Sequence, residues 1–142
     1  MQTVDRLLEK TCYIIDFLPY QVPKACGGHF FEVENYLLNH YERYGIRERF
    51  IRIILKIMCY YPVCILWVKW IDQPSPGQVA EIIDAIMKNH SGDMNMVFDK
   101  KDALLQFSRD CLHLSIYNPD EEMRVLFEQI AISEGMFWRK SE

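Results

Sequence analysis

Residues 94–117 read MNMVFDKKDALLQFSRDCLHLSIY. Three short runs, Met94–Phe98, Ala103–Phe107 and Cys111–Tyr117, are rich in strand-favouring residues. Two polar stretches of hairpin length separate them, Asp99-Lys100-Lys101-Asp102 and Ser108-Arg109-Asp110. Runs of this length with turns between them predict an antiparallel meander. The stretch that follows is helical. Asn118 is suited to cap it, Pro119 to take its first position, and Asp120, Glu121 and Glu122 meet the positive end of the dipole. Met123, Leu126, Phe127, Ile130 and Ala131 form its buried stripe, and Gly135 ends it. Met136-Phe137-Trp138 adds a short edge strand.

Upstream, Ser75-Pro76-Gly77-Gln78 combines a good N-cap, a proline at the first position and a capping-box glutamine. The helix it starts carries Val79, Ile82, Ile83, Ile86 and Met87 inward, and His90-Ser91-Gly92 closes it. Between Tyr60 and Ile71 the chain is apolar on both parities, which predicts one central strand buried on both faces. Phe30, Val33, Leu37, Tyr41 and Tyr44 recur at helical spacing, widened by Phe31 and Leu38. Gly45 breaks the pattern as a C-cap. A second helix then takes Ile46, Phe50, Ile53, Ile54 and Ile57 inward, with Glu48 and Arg52 paired on its outer side. Nearer the start, Thr3 caps a short helix holding Val4, Leu7 and Leu8, and Cys12–Leu18 is a strand closed by Pro19. Helices and strands neither alternate strictly nor segregate. We therefore expect an α+β fold in a single domain over residues 1–142. Its mainly antiparallel sheet holds about four to six strands, including the C-terminal meander, with helices packed on it.

Composition narrows the function classes. In 142 residues half are hydrophobic and 13% aromatic, which excludes intrinsic disorder. A formal net charge of −4 steers little and is the wrong sign for a dedicated duplex-DNA binder, so no nucleic-acid partner is expected. The longest uncharged apolar run, Ile57–Val68, is too short to span a bilayer as a helix, and the first ten residues carry no signal-peptide core. Of five cysteines, an odd number without a CxxC pair, Cys12, Cys59, Cys64 and Cys111 sit in apolar stretches and read as free thiols acting as small buried hydrophobes in a reducing compartment. A soluble cytoplasmic protein is the expectation.

Three constellations can carry chemistry. Cys26-Gly27-Gly28-His29 places a thiol at a helix start, where backbone N–H groups and the dipole favour thiolate. His29 is placed to act as its base and Glu32, one turn on, to orient the imidazole, a set suited to thiol or acyl chemistry. The bland account is a tight turn with an incidental cysteine. The same loop, Lys24 with the amides of Gly27 and Gly28, is shaped for an anion, although no phosphate-loop pattern is present. Among the aromatics, Trp70, Phe137 and Trp138 lie near element ends, where such residues anchor interfaces. Metal is not expected. His29, His40, His90 and His113 are scattered, no HExxH exists, and His113 alternates with Leu112 and Leu114 toward solvent. Arg47, Arg49, Arg52 and Lys56 form a basic helical face read as a solvated surface. No cofactor is implied.

The leading expectation is a non-enzymatic protein-interaction or regulatory module with a protein partner. It allows homodimerisation through the 136–138 edge. The alternative is a small-ligand or anion-binding protein, or a thiol enzyme, using the Lys24–Glu32 loop and helix start.

Overall fold

Seven strands form one sheet in the order β3-β2-β4-β5-β6-β1-β7, and every neighbouring pair is antiparallel. The structure is a computed structural model and describes residues 2–23, 28–108 and 112–141. In chain order the elements are α1 (Gln2–Leu7), β1 (Cys12–Asp16), α2 (Phe30–Asn39), α3 (Tyr41–Tyr44), α4 (Ile46–Met58), β2 (Val63–Trp67), β3 (Lys69–Asp72) and α5 (Pro76–Asn89). The meander β4 (Asp93–Phe98), β5 (Leu104–Ser108) and β6 (His113–Tyr117) follows, then α6 (Glu121–Ser133) and β7 (Phe137–Lys140). The α+β class and the antiparallel meander are as expected, and the strand count is slightly higher. Among the described residues no helix is long and apolar enough to cross a membrane.

Side-chain alternation gives the sheet two unlike faces. On one, Ile15, Ile65, Met96, Leu105, Leu114 and Ile116 meet α4, α5 and α6 in the main core. Phe50, Ile53, Ile54 and Ile57 of α4 and Ile83 of α5 are fully buried there. Each such side chain stabilises the fold by about 1.5–3 kcal/mol relative to exposure. Trp138 of β7 belongs to this face. It stacks between Tyr13 at 5.0 Å and Phe127 at 5.6 Å, so its ring contributes to the core. On the opposite face α1 covers only part of the sheet, packing Val4, Leu7 and Leu8 against Leu66, Val97, Leu104 and Tyr117.

The predicted capping box at Ser75 and Gln78 is present in both directions. The predicted inward residues of α4, α5 and α6 are buried, except that Leu126 is partly so. Several expectations are corrected. The single strand over 60–71 is instead the hairpin β2–β3, turned at Val68, where φ is +62°. Its two apolar parities arise because Val63 and Ile65 face the main core while Leu66 packs toward α1. Asp120, not Asn118, caps α6 by accepting from the Met123 amide, since Asn118 sits at φ +58° and donates its Nδ2 to the Asp102 carbonyl. Helix α1 already includes Gln2, so Thr3 lies inside it. Cys59 is exposed, and Cys12 and Cys64 are only partly buried, rather than buried hydrophobes. Glu48 pairs with Arg47, and Arg52 reaches Glu134, rather than one another. Finally, α2 and α3 bury no residue fully. Leu37, Leu38 and Tyr41 pack partly on the core, while Phe31, Val33, Tyr36 and Tyr44 remain exposed.

Candidate functional site

The insertion of β1 between β6 and β7 builds the site. Asp16 lies opposite both His113 and Phe137, and Ile14 lies opposite both Ser115 and Arg139. Ile14, Asp16, His113 and Arg139 therefore share the incompletely covered face. That face of β1 and β7, the chain leaving β1 and the start of α2 line a cavity of about 800 Å³. Among the described residues its apolar wall comes from Ile14, Leu18, Val22, Pro23, Phe30 and Phe31, and its ionisable groups are Asp16, Glu34, His113 and Arg139.

Asp16 is a charged residue only 7% exposed. Its Oδ2 accepts from Arg139 Nη2 at 2.7 Å, and its Oδ1 accepts from the Leu18 amide at 3.3 Å. Arg139 Nε is buried without a hydrogen-bond partner among the described residues. A pair of this kind is held at a desolvation cost that its own attraction only partly offsets. Burial lowers the His113 pKa from its ordinary value, with Asp16 opposing the shift and Arg139 reinforcing it. Burial and then the Asp16 charge raise the Glu34 carboxyl. The cavity thus holds an imidazole that is neutral at pH 7 and a carboxyl that protonates more readily than usual. Both are suited to proton exchange with a bound molecule, and shifted groups clustered in a cleft mark functional sites. His113, expected on a solvent side, is instead partly buried in this wall, on the strand face it shares with Asp16.

The other sequence candidates divide. Lys24, Cys26 and Gly27 lie outside the described residues, and Gly28 lines the cavity. His29 Nδ1 and Glu32 Oε2 lie 3.0 Å apart as expected, but their side chains are 79% and 78% exposed and neither lines the cavity. Trp70 is 45% exposed and Phe137 39%, at opposite edges of the sheet. The basic face of α4 is engaged within the fold. Arg47 pairs with Glu48 and Asp84, Arg52 and Lys56 with Glu134, and Arg49 donates to the Glu134 carbonyl.

One ligand set was not apparent from the sequence. The thiol of Cys64 and carboxylate oxygens of Asp72 and Asp99 lie within 4.8 Å of one another. Burial, then the Asp72 hydrogen bond and the two nearby carboxylates, push the Cys64 thiol up to about 11, so it holds its proton. Three donors are one short of a closed tetrahedral site.

Comparison with family models, with curated proteins and with solved structures finds no significant match to this chain.

Proposed function

We propose that the protein binds a small molecule in the cavity between the β1 and β7 ends and α2. The observation that carries this reading is the Asp16–Arg139 pair, set in the wall of a cavity that combines apolar and aromatic side chains with the polar groups of Glu34 and His113. Ligand sites have this character: mostly apolar walls with a few convergent polar groups, in volumes of roughly 300–1,000 Å³. Buried charge is costly and adds little stability compared with apolar packing, so recognition is the better reason for it. The reading stays within the small-ligand alternative drawn from the Lys24–Glu32 region, since Gly28, Phe30 and Phe31 line the cavity. It moves the polar contacts to the strand ends. The thiol-enzyme version, with Cys26 as nucleophile, has less support because its His29–Glu32 pair, although formed, stands exposed and outside the cavity lining.

The test is a fragment screen followed through backbone amide NMR signals. Binders should shift residues 14–18, 28–34, 113 and 139–141 together. Hits that never touch these residues, or no hits from a broad library, would overturn the reading.

An interaction surface is the second reading, and one observation favours it. Helix α2 exposes Phe31 (78%), Val33 and Tyr36 while burying no residue, and Trp70 and Val68 stand out from the β2–β3 hairpin. Affinity capture with the intact chain, repeated with Trp70→Ala, checks it. A stoichiometric partner lost in the variant supports a module.

A further inference from the structure

We propose that the ligand of this cleft is an amphipathic cation, an aryl- or alkyl-ammonium whose charged end meets Glu34 and whose apolar body lies against Phe30, Phe31 and Ile14. The inference rests on the cleft being a ligand site and names the class it takes.

The charge balance of the lining carries the argument. Asp16 and Arg139 are 2.7 Å apart and cancel one another. His113 is half-buried and held neutral at pH 7. Glu34 remains. It is half-buried, it lines the same cavity, and no ion pair or hydrogen bond to its carboxylate is present among the described residues. Its closest charged influence is Asp16, which is of like sign. Among the described residues the cleft therefore presents one unbalanced negative charge in a partly desolvated, largely apolar-walled space. A ligand cation there gains a charge-assisted hydrogen bond and removes the repulsion between the two carboxylates. A ligand anion would face both carboxylates, and the guanidinium among the described lining residues, although its buried Nε has no hydrogen-bond partner, is already charge-paired with Asp16.

The aromatic wall is placed for the same ligand. Phe30 and Phe31 stand four and three residues before Glu34, on the same side of α2 within one turn. Their rings pack edge to face at 5.3 Å, and both line the cavity. An ammonium held by Glu34 lies within reach of these rings, which attract cations, and the ligand's own apolar body fills the space toward Ile14 and Leu18.

The probes are tryptamine, indoleacetate and tryptophol, which share an indole and differ in charge. Each is titrated into the intact protein at pH 7 and read from the amide signals of residues 14–18, 28–34 and 139–141. Tryptamine should bind about tenfold or more tightly than tryptophol, and Glu34→Gln should abolish that preference. Position 34 is half-exposed on a helix surface, so the variant keeps the fold, and an unchanged spectrum away from α2 verifies it. Indoleacetate binding tightest, or tryptamine binding equally well to Glu34→Gln, overturns the assignment of ligand class while the cleft itself stands. If no probe shifts the cleft signals, the ligand-site reading falls with it.

Discussion

Replacing Arg139 with Met tests the energetics of the site directly. Arg139 and Asp16 have side chains 18% and 10% exposed, and they form a 2.7 Å ion pair. Met retains most of the apolar stem of Arg139 and removes its charge. Asp16 is then left with one neutral hydrogen bond, from the Leu18 amide. Removing one partner of a fully buried pair costs about 3–5 kcal/mol. Here a cleft runs beside the pair and solvent relaxes part of that charge, so we expect a loss of about 2–3 kcal/mol. Urea unfolding measures it, with tryptophan fluorescence as the signal, because Trp138 lies stacked between Tyr13 and Phe127 and loses that environment on unfolding. In a thermal scan the same loss lowers the midpoint by about 2–4 °C per kcal/mol in a protein of this size. The decisive control is Asp16→Asn combined with Arg139→Met. With both charges gone no uncompensated ion remains, so the double variant should recover about 1–2 kcal/mol relative to the sum of the single losses. A loss below about 1 kcal/mol in Arg139→Met, or single losses that add to within about 0.5 kcal/mol, refutes the description of this pair as buried and coupled.

The remaining expectations concern other parts of the fold. Val68 is 96% exposed yet holds φ at +62°, a conformation costly for a β-branched residue. Val68→Gly should therefore stabilise the protein by about 1 kcal/mol in urea unfolding, against the usual direction for glycine. Cys64, with its thiol pushed up to about 11, should alkylate with iodoacetamide at pH 8 about a hundredfold more slowly than exposed Cys59. Peptide mass spectrometry resolves the two sites, and equal rates would contradict the geometry. Burial raises the Glu134 carboxyl, but Lys56 and Arg52 outweigh it and hold the group below its ordinary value. The folded state thus binds the proton more weakly than the unfolded chain, and the stabilisation is present above about pH 4.5 and lost as pH falls through the lowered value. Glu134→Gln should be less stable at pH 7 and lose less stability between pH 5 and 3, as followed by circular dichroism.

The parts of the fold legible in the sequence are those that local chemistry settles. Ser75-Pro76-Gly77-Gln78 specifies a helix start through bonds among four consecutive residues, and the structure forms them. The inward positions of α4 and α5 follow from period alone, because each helix lies against one face of one sheet. Period says less where burial is shared. The run 60–71 has apolar residues on both parities for one strand buried twice or for two strands folded together, and nothing in composition separates these. The single residue Val68 decides it by adopting a turn that valine rarely takes. Likewise the apolar stripe of α2 was periodic, but periodicity does not reveal whether a surface exists to receive it.

The candidate site illustrates the same limit more sharply. Its central bond joins Asp16 to Arg139, 123 residues apart, and exists only because β1 enters the sheet between β6 and β7. Pairing β1 with either strand alone would give half of the site, His113 without Arg139 or the reverse. What the sequence did offer was a discord: an aspartate closing the apolar run Cys12-Tyr13-Ile14-Ile15, and an arginine following Phe137-Trp138 in the last strand. A charged residue at an inward position of a strand obliges the fold to supply a partner, so two such residues of opposite sign predict one another. By the same logic Glu34 identifies the group still missing. It is the charge in this cleft for which the chain's described residues supply no partner, and a molecule that supplies one is the natural occupant.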